Sequence, residues 1–321
     1  METIELGTTG RSTTRLGYGC SSLMGGMGRR ESLAILETAY DAGVRHFDVA
    51  PMYGFGEAES CLGEFLARHR SDVTVTTKYG IASPKQSGWM STARAVVRPV
   101  VKALPGLKRG LVKAAGKSVK GEARAGFTAA QAKESLERSL AALKTDRIDV
   151  WLLHEVEAGD LQDDGLLRLL EDCVAAGTIG SFGVGSEREK LMALCAERPE
   201  YCGTVQFEWS VMDAPVMMPG FRIHHRALTH HFRELHEALV KDKIRCARWS
   251  AAVGMNLMER ETLASLMLKA AMVENPASVI LFSSKRAAHV KHNVQVAENA
   301  ALEQPARRLY ELVREYGQGA A

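Results

Sequence analysis

The stretch Arg45–Glu57, R-H-F-D-V-A-P-M-Y-G-F-G-E, decides how this chain is read. His46 to Asp48 has the character of a short strand, and Pro51 breaks it, because proline fixes φ and removes a hydrogen-bond donor. Asp48 then stands five residues before Tyr53, which sits on a glycine-bounded turn. A phenol with an ordinary pKa of about 10 is a poor acid near neutrality unless a nearby cation favours its phenolate. Chemistry at Tyr53 therefore calls for a cation, and for a group that orients a carbonyl beside it.

Outward from this stretch the chain alternates between two periodicities. Thr3–Leu6 and Ser12–Leu16 read as a hairpin around Gly7 and Gly10. Strands are expected at Leu16–Cys20, His46–Asp48, Val73–Lys78, Ile148–Leu153, Ile179–Val184, Thr204–Phe207, Ile244–Ala247 and Val279–Leu281. Helical spacing marks Glu31–Ala42, Glu57–His69, Thr128–Leu143, Leu166–Ala176, Glu187–Ala196, Phe232–Val240, Glu261–Met272 and Ala287–Val296. Thr128 opens its helix with T-A-A-Q, a capping-box pattern. Eight strands alternating with helices imply parallel βαβ units and an α/β fold, a closed (β/α)8 TIM barrel. Glu303–Tyr316 adds a C-terminal helix. The expectation is a single barrel domain over residues 1–321.

Composition sets the outer bounds. An apolar share of 46% and a charged share of 25% are ordinary for a globular protein, and the net charge of +3 points to no particular partner. The six cysteines show no C-x-x-C spacing, so they read as reduced thiols. No basic and apolar leader opens the chain, and no run approaches a membrane span, so the expected location is cytoplasmic.

One segment departs from this balance. Ala82–Gly126, after the third strand, holds ten Lys or Arg against the single acid Glu122, a local charge of +9 that leaves −6 for the rest. Arg94, Arg98 and Lys102 recur at helical spacing, with Pro99 as a kink. Three readings stay open: a basic lid that attracts an anionic substrate, a solvated loop, and a membrane-surface or partner-binding segment.

In a barrel, active-site side chains follow the C-terminal ends of the strands. Those ends carry Asp48 and Tyr53, then Lys78, then His154. Lys78 can supply the cation for Tyr53, Asp48 can hold Lys78, and His154 can donate a hydrogen bond to a carbonyl oxygen. Singly, each also reads as a rim lysine, a core histidine or a turn tyrosine; together they form a general-acid set for carbonyl reduction, with hydride supplied by a cofactor.

These residues lie in motifs that resemble the aldo-keto reductase superfamily. The motifs are G-V-R-H-F-D-V-A-P-M-Y-G-F-G-E at 43–57, T-K-Y-G at 77–80, D-R-I-D-V-W-L-L-H at 146–154, G-T-I-G-S-F-G-V-G-S at 177–186, V-Q-F-E-W-S at 205–210 and H-V-K-H-N at 289–293. The resemblance implies a tetrad of Asp48, Tyr53, Lys78 and His154 with Tyr53 as proton donor. It also implies NADP(H) bound in extended form without a glycine-rich dinucleotide loop. Where the family has Ser-Asn after the fifth strand, this chain has Gly185-Ser186, and Ser186 and Gln206 are the candidates for the nicotinamide amide. Trp249, in R-W-S-A-A, takes the place expected of the stacking tyrosine. Ser283, Ser284, Lys285 and Arg286 suit the adenosine 2′-phosphate and favour NADPH over NADH. Asn293 matches the family's asparagine near adenine.

Two clusters stand apart. Arg222–His231, R-I-H-H-R-A-L-T-H-H, holds four of the ten histidines, but no neighbouring carboxylate or cysteine completes a metal set, so it reads as a solvated loop with no metal. Arg245 and Arg248 flank the expected seventh strand, and Arg248 can either meet an anionic substrate group or form an ion pair. The expected partner is a small carbonyl compound, with an anionic one favoured by the insertion, and no nucleic acid. The same residues also suit an NADP-dependent sugar or alcohol dehydrogenase. The basic insertion keeps open an NADP(H)-binding regulatory module that engages a protein partner.

Overall fold

A computed structural model describes residues 1–81, 126–214 and 218–319. The basic insertion, apart from its last residue Gly126, lies outside the described residues, and so do the expected lid and the helical spacing within it. An antiparallel hairpin, β1 (Thr3–Glu5) and β2 (Ser12–Thr14), comes first. Eight parallel strands then close into a barrel: β3 (Leu16–Gly19), β4 (His46–Asp48), β5 (Thr74–Tyr79), β6 (Ile148–His154), β7 (Ile179–Gly185), β8 (Thr204–Glu208), β9 (Phe221–His225) and β10 (Ser278–Phe282). They neighbour one another in chain order, and β10 pairs with β3 to complete the ring.

Helices α1 (Arg29–Asp41), α2 (Ala58–His69), α3 (Ala129–Leu143), α4 (Asp164–Ala175) and α5 (Arg188–Glu197) connect the strands. Helix α6 (Thr229–Lys241) is followed by α7 (Lys243–Val253), α8 (Arg260–Glu274), α9 (Ala287–Glu298) and α10 (Glu303–Gly319). The expected cap is visible at α3, where the Thr128 hydroxyl accepts from the Gln131 amide. No described helix is long and apolar enough to cross a membrane.

Side chains alternate across each strand, so period two sorts them between barrel interior and helix layer. On β6, Trp151 and Leu153 join the layer under the helices, whereas Val150 and Leu152 meet Leu6 of the hairpin, Ile223 and Val279 inside. A polar layer also lies inside. The Thr13 and Thr74 hydroxyls are 2.6 Å apart, and His46 reaches Thr74 at 3.0 Å and Thr76 at 3.3 Å. The next inward positions on β4, β5 and β6 are Asp48, Lys78 and His154.

The seventh strand corrects the sequence reading. Ile244–Ala247 is helical, inside α7, and the barrel strand is Phe221–His225, paired with both β8 and β10. Asp242 caps α7 by accepting from the Arg245 amide, and Cys246, Trp249 and Val253 are its buried face at helical spacing. Ile244, expected in a core strand, is 85% exposed. Arg248 is exposed on α7 and not directed to a pocket from a strand end, and Arg245 pairs with Asp242 at 2.8 Å. The supposed solvated loop Arg222–His231 thus supplies Arg222–His225 to a barrel strand and Thr229–His231 to the start of α6.

Candidate active site

The turn after β4 carries Tyr53 at its head, Tyr53–Gly56. Gly54 has φ of 60°, and a Cβ there would lie 2.6 Å from the Leu23 carbonyl oxygen, so the turn that presents Tyr53 requires glycine. After Lys78 the chain passes Gly80 at φ 139°, where a Cβ would come within 2.2 Å of the His154 oxygen. That close approach sets the end of β5 against the end of β6.

Lys78 and Asp48 are almost fully buried, and the Lys78 ammonium donates to Asp48 Oδ1 at 2.6 Å and to the Val49 carbonyl at 3.2 Å. Lys78 Nζ lies 5.7 Å from the centre of the Tyr53 ring. Burial pulls the Lys78 pKa down, but Asp48 and Tyr53 outweigh it, so the group is held as a cation. Burial raises the Tyr53 pKa above its ordinary value of about 10, with Lys78 opposing the rise. Tyr53 is therefore protonated at rest beside a cation that favours loss of its proton. Burial, then the Lys78 charge, pushes His154 down to about 3, which leaves a neutral imidazole at neutral pH.

Asp48, Tyr53 and His154 face one cavity of about 580 Å³, with Lys78 beneath it. Ser186, Gln206, Ser283 and Asn293 also line it. Gln206 donates from Nε2 to Asp48 Oδ2 at 2.7 Å, a contact the sequence reading did not anticipate, and Ser186 donates to Glu155 at 3.3 Å. Ser284, Lys285 and Arg286 lie beyond the wall, on the loop entering α9, where Lys285 and Arg286 are exposed. Lys285 Nζ reaches to 3.0 Å from the position a Cβ would take on Gly26. The hydroxyls, two cations and helix N-terminus of this loop, next to Ser283 of the cavity wall, suit a phosphate. The amide of Gln206 and the hydroxyl of Ser186, in the cavity wall, suit a carboxamide.

Trp249 is the exception. It lies on α7, 2% exposed, with its ring centre 6.1 Å from that of Tyr316, and it is not among the residues lining the cavity. At the end of the true seventh strand the cavity wall carries His225 and Arg226. Burial and the Arg226 charge, against Asp48, bring the His225 pKa down to about 4, leaving a neutral aromatic ring in the wall. Glu155 and Glu208 also line the cavity and were missed, although both stand beside residues already singled out: Glu155 comes directly after His154, and Glu208, the last residue of β8, two after Gln206. His225 would have been found had the strand been placed at Phe221–His225.

Comparison with known proteins assigns the chain to a family. The sequence profile of the Aldo/keto reductase family matches residues 15–218, more than half of the chain. The chain belongs to the aldo/keto reductase family. An uncharacterised oxidoreductase of Bacillus subtilis, YqkF, is 26% identical over 213 residues, covering 65% of this chain and 56% of that protein. A D-threo-aldose 1-dehydrogenase of a Pseudomonas species is 33% identical over 186 residues, covering 55% of this chain and 51% of that protein. The chain thus matches about half the length of these relatives. An aldo-keto reductase of Klebsiella pneumoniae, crystallised with NADPH, superposes with a TM-score of 0.62 at 19% identity over 96% of this chain and 95% of that one.

Proposed function

We propose that this aldo/keto reductase is an NADPH-dependent carbonyl reductase that converts an aldehyde or ketone to the alcohol. The observation that carries the reading is the convergence of Asp48, Lys78, Tyr53 and His154 on one cavity. Ser186 and Gln206 would hold the nicotinamide carboxamide, Asn293 the adenine, and Ser283, Ser284, Lys285 and Arg286 the 2′-phosphate. NADPH held by these residues would supply the hydride for the carbonyl carbon. The neutral His154 donates an imidazole N–H to the carbonyl oxygen and orients it. Tyr53 transfers its phenolic proton to that oxygen as negative charge builds on it. Lys78 stabilises the phenolate left behind, and Asp48 holds Lys78 in place. His225 contributes an aromatic wall in place of Trp249.

An anionic carbonyl compound is the class we favour, because the Ala82–Gly126 segment carries +9; Arg226 in the cavity wall is already paired with Glu208. The oxidative direction, in which the Tyr53 phenolate takes the proton of an alcohol, uses the same residues. The 33% identity to a D-threo-aldose 1-dehydrogenase favours testing sugars in that direction.

The test is consumption of NADPH with aldehydes, ketones and their carboxylate-bearing analogues, beside titrations of NADPH and NADH. Turnover with NADPH, fastest for the carboxylate-bearing compounds at low salt, is expected. Failure to bind either nucleotide would overturn the proposal.

A further inference from the structure

Glu208 at the end of β8 faces His230 and His231 in the first turn of α6, and these three side chains form a cluster outside the set used for carbonyl reduction. Glu208 Oε1 is buried without a hydrogen-bond partner among the described residues. His230 Nδ1 lies 3.6 Å from it and His231 Nε2 lies 3.7 Å from it. All three ligand atoms fall within 4.8 Å of one another. Such separations are too long for hydrogen bonds. They are close to the spacing of about 3.3 Å that Zn–N and Zn–O bonds of about 2.0–2.2 Å impose along a tetrahedral edge.

The surroundings of the three atoms are those of metal ligands. His231 offers Nε2 to the cluster and makes a 3.3 Å contact from Nδ1 to the Glu234 carboxylate one turn on, the carboxylate–histidine arrangement that fixes a ligand's tautomer. Arg226 donates to Glu208 Oε2 at 3.1 Å, which occupies the other oxygen and turns Oε1 toward the histidines. The two imidazoles lie side by side, with ring centres 3.8 Å apart and planes tilted by 39°. The Thr229 hydroxyl also stands 3.4 Å from His230 Nδ1. The sequence reading dismissed this histidine segment because no carboxylate or cysteine completed a metal set; the fold brings Glu208 from strand β8.

We propose that Glu208, His230 and His231 bind a first-row divalent cation, Zn²⁺ by the two-nitrogen, one-oxygen donor set, with a fourth position open to water. Glu208 is also a wall residue of the cavity, so the ion lies beside the reductase site without forming part of its proton-transfer set.

The test uses the full-length protein stripped with a chelator that is then removed. Co²⁺ serves as the optical probe and Zn²⁺ as the competitor. The expected result is one equivalent of Co²⁺ with tetrahedral-type visible absorption, displaced by Zn²⁺. Glu234→Gln should weaken binding about 10- to 100-fold. His230→Gln and His231→Gln, checked by circular dichroism to be folded, should weaken it at least as much. A cluster that serves only as ion pairs would bind neither metal, and that result overturns the proposal. Binding that persists unchanged in both histidine variants overturns it too, by placing the ion elsewhere, for example at the Cys195 and Cys202 sulfurs, which lie 2.7 Å apart.

Discussion

The Lys78 ammonium and the Asp48 carboxylate meet at 2.6 Å with side chains only 2% and 4% exposed, so each neutralises a charge that the barrel could not otherwise bury. Desolvation makes a lone buried charge costly, and removing one partner of such a pair typically destabilises by about 3–5 kcal/mol. Lys78→Met should therefore lose both activity and stability. Adding Asp48→Asn should recover much of the stability and none of the activity. Urea denaturation beside steady-state turnover separates the two, and a double variant no more stable than Lys78→Met would contradict this account.

The phosphate end makes a selective prediction. If Lys285 and Arg286 contact the 2′-phosphate, their alanine variants lose hydrogen bonds to a charged group, each worth about 1.5–3 kcal/mol, so NADPH binding should weaken about tenfold or more. NADH, which lacks that phosphate, should bind as before. Fluorescence titration with both nucleotides gives the answer, and equal losses would place the phosphate elsewhere.

Trp249 and His225 should part company. Trp249→Ala leaves a void against Tyr316 and should cost about 3–5 kcal/mol, with NADPH affinity unchanged. His225→Ala should change NADPH affinity or turnover instead. A loss of NADPH affinity in the folded Trp249 variant would restore the sequence-based placement.

Four buried or half-buried histidines set an acid limit. His46 and His225 are pushed down to about 4, and His154 and His224 to about 3, in each case first by burial. In the unfolded chain they titrate near 6.5. Between pH 6.5 and 4 the unfolded chain thus binds more protons than the folded one, and stability falls as pH falls. The histidine contribution is complete above pH 6.5 and declines steadily below it. Urea midpoints across that range should drop, and His46→Gln should shallow the slope.

Much of this fold was legible because buried parallel strands read as apolar runs, as in I-D-V-W-L-L-H of β6. Strand β9 was not. In F-R-I-H-H the fully apolar inward residue is Ile223, while His224 faces outward onto Phe207 and Trp209 at ring-centre distances of 4.6 and 6.5 Å. The run I-R-C-A of α7 imitated a strand more closely than the strand itself did. The tetrad was legible because each member stands at a strand end or the turn after it, inside a short motif. The Gln206–Asp48 bond and the Glu208–His231 approach were not, since each joins side chains from different strands or helices that no local pattern links.

The most direct test of the central claim is Tyr53→Phe, which removes one oxygen from the cavity and leaves the Lys78–Asp48 pair intact. The measurement is single-turnover oxidation of bound NADPH with the best carbonyl substrate, beside NADPH affinity of the same protein. The account predicts unchanged affinity and oxidation slowed at least about 100-fold, the scale of a lost general acid. Oxidation at the wild-type rate would contradict the assignment of Tyr53 as the proton donor.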